Sequence, residues 1–307
     1  MQAVVVRIKG GLGNQLFCYA AARRLALVND AELVIDDVTG FIRDRRYRRR
    51  YCLDRFRIPA RKATAWERME PFERYRRGLA KCLAKRRPFH CRRYVEQEGI
   101  NFDERLLTYK VRGTVHLDGL WQSEGYFKDV EATVREDLEI VPPADRLTLD
   151  MARRIRECNA VAVHVRWFDR PGGENTTHNA SLDYYRRAVD KIERRLDDPH
   201  FFVFSDDPEA AIRALNLPEG EATCVSHNKG DDNAYADLWL MTQCRHFIIA
   251  NSTFSWWGAW LAQYDQKTVI APVMQVTGMT AWGFEGLLPS GWMQIPVGPT
   301  GRDHDAA

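Results

Sequence analysis

The stretch His246-Phe247-Ile248-Ile249-Ala250-Asn251-Ser252-Thr253-Phe254-Ser255-Trp256-Trp257-Gly258-Ala259-Trp260 decides the fold. It opens as a short apolar strand, stops at Asn251-Ser252-Thr253 and restarts as an aromatic-rich helix. The hydroxyls of Ser252, Thr253 and Ser255 fall where the first N–H groups of that helix lack intrahelical partners. Free N–H groups and the helix dipole together favour negative charge, so the junction is a candidate anion site. An ordinary Ser/Thr N-cap on a buried helix accounts for the same letters, and both readings stay open here.

The strand-then-helix step recurs outward from this point. Strands are expected over residues 160–165, 201–204, 222–225, 247–250 and 268–271, separated by helical stretches near 182–196, 207–215, 234–244 and 254–263. Towards the N-terminus the pattern predicts a strand over 4–8, a tight glycine loop, a helix over 15–28, and strands over 33–35 and 115–117. A loop and helix over 121–127 follow. Buried strands alternating with amphipathic helices imply parallel sheets covered on both faces. At 307 residues the chain has room for two domains of roughly 150 residues each. Pro142-Pro143 marks the expected boundary, giving domains over 1–145 and 146–307. The predicted architecture is α/β, with two Rossmann-like domains facing across a cleft.

Composition narrows the function classes. With 45% hydrophobic and 28% charged residues the chain reads as globular. No apolar run approaches the ~20 residues of a membrane span, and the opening Met-Gln-Ala-Val-Val-Val lacks a signal-peptide layout. Seven dispersed cysteines without metal-ligand spacing predict reduced thiols and a cytoplasmic setting. The net charge of +3 conceals an asymmetry: residues 41–93 hold twenty Lys/Arg against five Asp/Glu, leaving −12 on the rest. Clusters such as Arg45-Arg46-Tyr47-Arg48-Arg49-Arg50 suit phosphates or an anionic membrane face, or form a solvated insertion. The aromatic interleaving and signatures of a nucleic-acid reader are missing.

In parallel sheets ligands bind beyond the C-terminal strand ends, near a switch in strand order, and every conspicuous motif falls at such a place. Gly10-Gly11-Leu12-Gly13-Asn14-Gln15 follows the first strand but fits neither the dinucleotide fingerprint nor a P-loop. Val163-His164-Val165-Arg166-Trp167-Phe168-Asp169 ends the first strand of the second domain. There the Arg166 fork suits phosphate oxygens, or forms a structural pair with Asp169. In Phe201-Phe202-Val203-Phe204-Ser205-Asp206-Asp207, Asp207 reads as the next N-cap, which leaves Asp206 free to accept from a ligand N–H.

These blocks, with Leu117-Asp-Gly-Leu-Trp-Gln-Ser-Glu-Gly-Tyr-Phe127, resemble the α-1,2-fucosyltransferases of glycosyltransferase family 11, in the family's order from residue 10 to about 272. The resemblance implies a GT-B fold and an inverting, metal-independent transfer of L-fucose from GDP-β-L-fucose, as donor substrate, to a glycan acceptor hydroxyl, the 2-OH of a galactoside being expected. It implies that Arg166 holds the diphosphate together with Asn251, Ser252, Thr253, Phe254 and Ser255. By similarity to the wider fucosyltransferase superfamily it puts His164 and Asp206 near the guanine, with Ser205 also among the donor-binding residues. Gly11, Gly13 and Asn14 would close over the donor from the other domain. One departure stands out: where the family reads His-x-Arg-Arg-x-Asp, this chain has Trp167 in place of the second arginine.

Inversion needs a base for the acceptor proton and stabilisation of the departing diphosphate. No Asp-x-Asp metal pattern with a second carboxylate nearby appears, so Arg166 and the 251–255 turn are the expected clamp, without metal or other cofactor. Glu174 and Asp169 are the candidate bases. Glu174 has the offset that a glutamate occupies after a similar histidine motif in α-1,6-fucosyltransferases. A lipid-linked glycan acceptor and peripheral contact of the basic stretch with an anionic inner membrane face are the expected partners. The alternatives are a transferase for another GDP-sugar or acceptor, and an inactive carbohydrate-binding homologue.

Overall fold

A computed structural model describes residues 2–167, 179–217, 220–228, 230–276 and 279–297. The chain divides into two compact units, one of residues 1–141 with Glu285–Leu287, the other of Pro142–Phe284 with 288–307.

The first unit is built on a five-stranded parallel sheet of order β3-β2-β1-β5-β4. Its strands are β1 (Ala3–Arg7), β2 (Glu32–Asp36), β3 (Arg61–Lys62), β4 (Tyr94–Glu96) and β5 (Thr114–Asp118). β1 is the middle strand, and its Val4, Val5 and Val6 are buried on both faces, as a central parallel strand requires. Helix α1 (Leu12–Leu27) packs on β1 and is almost entirely buried. Helices α2 (Glu73–Lys85) and α3 (Glu131–Asp137) complete the unit.

The basic stretch over residues 41–93 is part of this unit's frame rather than a loose insertion. It supplies edge strand β3 and helix α2, and leads into the opposite edge, β4. Gln15, fully buried on α1, ties it down. The Gln15 Nε2 donates to the carbonyls of Gly10 (2.9 Å) and Arg50 (2.8 Å), and its Oε1 accepts from Cys52 N–H (2.9 Å).

The second unit carries a sheet of order β11-β10-β9-β6-β7-β8, with β12 paired to β10. Its strands are β6 (Asn159–Val165), β7 (Pro199–Ser205), β8 (Ala222–Val225), β9 (His246–Ile248), β10 (Val269–Val276), β11 (Met279–Trp282) and β12 (Met293–Val297). All described pairings are parallel except β10 with β11. The helices are α4 (Arg146–Arg156), α5 (Leu182–Glu193), α6 (Pro208–Leu215), α7 (Ala234–Gln243) and α8 (Thr253–Leu261). On α8, Trp256 and Trp257 are fully buried and Trp260 nearly so, with Trp256 stacked on Trp260. They are core, not a sugar platform. Gly258 lets α7 approach α8 closely: a Cβ there would lie 3.0 Å from Met241 Cε. None of the seven cysteines is in a disulfide.

Candidate active site

β6 lies between β7 and β9, and the chain leaves it first towards β7. It is therefore a switch point, where a crevice opens beyond the strand ends of a parallel sheet. The register pairs Val165 with Ser205 and Val163 with Ile248. The chain therefore emerges side by side at three places: His164–Trp167, Ser205–Asp207 and the turn over 251–255. Three motifs separated in sequence become neighbours through this register.

Arg166 Nη1 sits 3.3 Å from Asp206 Oδ2, each side chain about one-third exposed. Asp206 Oδ1 accepts from Trp167 N–H at 3.1 Å. Asp206 is thus not free, as its spacing suggested, but engaged by the arginine and the backbone of the β6 terminus. The alternative pairing of Arg166 with Asp169 falls outside the described residues. Asp169 and Glu174, the two candidate bases, lie outside the described residues. Ser205 Oγ accepts from Asp207 N–H at 3.1 Å, and Asp207 Oδ1 caps α6 by accepting from Ala210 N–H at 3.0 Å. That is the N-cap role its position predicted.

His164 is buried, its ring centroid 5.5 Å from that of Phe254. Burial, and then the Arg166 charge, bring its pKa down to about 3, so the imidazole is neutral across the physiological range. Its Nδ1 has no hydrogen-bond partner among the described residues. Ser252 caps α8, its Oγ accepting from Phe254 N–H at 3.3 Å. Ser255 is fully buried, and its hydroxyl donates back to Ser252 O at 3.2 Å. It holds the turn closed from inside, whereas Asn251, Ser252, Thr253 and Phe254 are partly exposed.

The glycine loop occupies the equivalent place in the first unit, at the C-terminal end of β1 and the start of α1. Gly10 has φ +78°, and a Cβ there would lie 2.8 Å from Asn14 Nδ2, so only glycine lets the chain turn this tightly over Asn14. Asn14 Oδ1 accepts from Gln122 Nε2 at 2.8 Å. Arg49, from the basic stretch, brings its guanidinium carbon within 3.8 Å of where a Gly11 Cβ would be. Gly13 is buried within α1.

Two groups escaped the sequence reading. Asp118, at the end of β5, is 2% exposed and takes Lys9 Nζ at 2.8 Å, Lys81 Nζ at 3.1 Å and Tyr94 OH at 2.7 Å. Burial alone would raise its pKa, but the Lys9 and Arg7 charges, with hydrogen bonds from Lys9 and Tyr94, hold the carboxyl well below the usual range. Its place in the Leu117–Phe127 block was the available signal. Asp237, on the apolar helix α7, accepts from Asn228 Nδ2 at 2.8 Å, and burial pushes it up to about 7. Among the described residues no group of three His, Cys, Asp or Glu side chains is placed to hold a metal ion.

Comparison with known proteins accords with this layout. The family model of glycosyl transferase family 11 matches residues 3–292. The chain is 30% identical over 279 residues to an α-1,2-colitosyltransferase of Escherichia coli, covering 89% of this chain and 92% of that protein. Against the human galactoside α-(1,2)-fucosyltransferase 1 it is 32% identical over 82 residues, 27% of this chain and 22% of the relative. Among solved structures, the fucosyltransferase NodZ from Bradyrhizobium superposes with a TM-score of 0.53 at 15% identity, over 91% of this chain and 96% of that one. A NodZ α-1,6-fucosyltransferase crystal soaked with GDP-fucose gives 0.50 at 15% identity, over 85% and 92%. The fold is thus that of the fucosyltransferases, a GT-B-like pair of Rossmann-like units.

Proposed function

Because the chain belongs to glycosyl transferase family 11, we propose that it moves L-fucose from GDP-β-L-fucose to a galactoside hydroxyl of a glycan acceptor, with inversion. The observation that carries this reading is the convergence of His164, Arg166 and the 251–255 turn at the β6 switch point.

The nucleotide sugar is assigned to the second unit and the acceptor to the first, with Gly11, Gly13 and Asn14 as the first unit's contribution to donor binding. In the reaction the acceptor oxygen bonds to the fucose C1 while the C1–O bond to the diphosphate breaks, and GDP leaves with the electron pair. The acceptor proton passes to a carboxylate, Glu174 or Asp169. Arg166 and the N-terminus of α8 meet the charge that grows on the diphosphate. That clamp does the work a divalent ion does elsewhere, so the proposed transfer is metal-independent. Asp206 sets the Arg166 fork, and the neutral His164 faces the nucleotide. The acceptor is assigned to a lipid carrier at an anionic membrane face, where the chain binds peripherally. No described helix is long and apolar enough to cross a membrane.

A second reading, favoured by the colitosyl relative and by Trp167, keeps the site and changes the sugar. GDP release from GDP-fucose and GDP-colitose, each with a panel of β-galactosides and with EDTA present, tests both. Turnover with GDP-fucose and an α-linked product by NMR supports the first reading. Preference for GDP-colitose selects the second. Loss of turnover in EDTA with rescue by magnesium overturns the cationic clamp.

A further inference from the structure

Helix α2 wears its amphipathicity inside out. A surface helix ordinarily turns its apolar stripe to the core and its charges to water. Here two charged residues, Arg77 and Lys81, turn towards the sheet. Arg77 Nη2 donates to Thr39 Oγ1 at 2.7 Å, and Lys81 Nζ reaches Asp118 at 3.1 Å. The side chains turned outward are Phe72, Tyr75, Leu79 and Leu83, at 72%, 76%, 61% and 50% exposure. Tyr75, Leu79 and Leu83, four residues apart, lie in one stripe along the helix, and Phe72 is exposed at its N-cap. Trp66, 74% exposed just upstream, lies under the Arg76 guanidinium, 4.3 Å from its ring centroid.

Charge says what covers this stripe. Helical angles set Arg74 and Lys85 along one flank and Arg76 along the other, and Arg86 and Arg87 follow at the C-terminal end. Between Glu73 and Glu96 the sequence has nine Lys/Arg and no Asp or Glu. The acids just upstream are already paired: Glu67 with Arg61 at 2.6 Å and Glu70 with Arg68 at 2.8 Å. An apolar stripe bordered on both sides by cations, with no exposed anion between them, is complementary to a surface that is apolar within and anionic at its rim. That is the headgroup–acyl boundary of an anionic bilayer, where flanking arginines can extend to the phosphates. Lys85 has an intramolecular acid at 3.9 Å in Glu96 and Arg76 donates to the Glu70 carbonyl, but a protein partner of ordinary surface composition would not match a border this one-sided in charge.

We infer that α2 is an interfacial anchor whose Phe72, Tyr75, Leu79 and Leu83 stripe seats in an anionic membrane. This deepens the proposal of a membrane-borne acceptor by naming the contact, and it moves that contact away from the arginines over 45–50. Arg49 of that cluster lies over the glycine loop.

Flotation of the full chain with phosphatidylglycerol/phosphatidylethanolamine vesicles, against pure phosphatidylcholine, tests the inference. The expected result is binding to the anionic vesicles alone. Leu79→Glu with Leu83→Glu should lower the bound fraction at least tenfold while transfer to a water-soluble acceptor is unchanged. An environment-sensitive fluorophore on Cys82, exposed on the same face, should shift to the blue with vesicles in a Cys91→Ser background. The same label on Cys91, with Cys82→Ser, should not. Vesicle binding that survives both glutamates, or no shift at Cys82, overturns the anchor. So does a wild-type dimer that the glutamates convert to monomer, which would make the stripe a subunit interface. Flotation needs no turnover, so a chain that floats but transfers no fucose counts against the proposed reaction and not against the anchor.

Discussion

Arg166 and Asp206 pair at the end of β6, and under the proposed function that contact sets what a diphosphate would meet there. A guanidinium offers a planar fork of donors, and the 3.3 Å pair with Asp206 sets the direction of that fork. If Arg166 binds the donor, Arg166→Ala should weaken GDP binding by about 2 kcal/mol, roughly thirtyfold, as expected for a charge-assisted contact. Arg166→Lys should recover only part, because an ammonium cannot reproduce the fork. Calorimetry that finds less than about a threefold loss would return Arg166 to a purely structural role. His164 gives a pH prediction at the same scale. Its pKa falls from an ordinary 6.5 to about 3 in the folded chain, by burial first and then by the Arg166 charge. Between those values the unfolded chain binds the proton and the folded chain does not. The contribution is therefore fully present above about pH 6.5 and is lost as pH falls towards 3, by up to ~1.4 kcal/mol per unit. Urea midpoints at pH 7 and pH 5 should show a smaller acid loss for His164→Gln than for wild type, by about 2 kcal/mol. An equal loss would mean that His164 titrates normally in the fold.

At the scale of elements, Gln15 is the peg between α1 and the basic stretch. Its three hydrogen bonds reach Gly10, Arg50 and Cys52 from a fully buried side chain. Gln15→Leu keeps the volume but removes all three, so it should cost about 2–3 kcal/mol. It should also speed tryptic cleavage after Arg48, Arg49 or Arg50 under native conditions, because the segment opens more often. Unchanged cleavage would show that the segment is held by other contacts. The same region shows what the letters could and could not reveal. β1, α1, β6, β7 and α8 were legible because apolar runs ended at turn-formers and restarted with helical spacing. α2 was not, since its periodicity points outward and its inward face is charged. β3 and β4, two and three residues long, carry too little pattern to be seen at all. The three strand-end motifs of the second unit were legible one by one. Their mutual contacts were not, because the Arg166–Asp206 pair follows from the Val165–Ser205 register, a property of the sheet. The hydroxyl of Ser255 looked ligand-facing in sequence, yet it is buried and bonded inside the turn.

At the scale of the whole molecule the dominant quantity is the division of charge. Residues 1–141 hold 29 Lys/Arg against 20 Asp/Glu, a charge of +9, and residues 142–307 are left with −6. A net charge of +3 understates what an anionic surface experiences, because attraction acts over about 10 Å at 0.1 M salt and so weighs the nearer unit. Each Lys/Arg close to such a surface adds about 1 kcal/mol of attraction, enough that a few decide whether the chain resides there. A lipid-carried acceptor would then meet enzyme concentrated on its own surface, whereas a water-soluble acceptor would gain nothing. Raising salt from about 0.05 M to about 0.5 M shortens the screening length several-fold. It should therefore depress transfer to an acceptor lipid in anionic vesicles by tenfold or more, and change transfer to the soluble acceptor by less than about twofold. Initial rates on both acceptors, measured side by side, separate the causes. If the two rates fall together, salt acts on diphosphate binding at Arg166 and the charge division has no part in delivery. If only the vesicle rate falls, the positive unit is what brings the active site to its substrate.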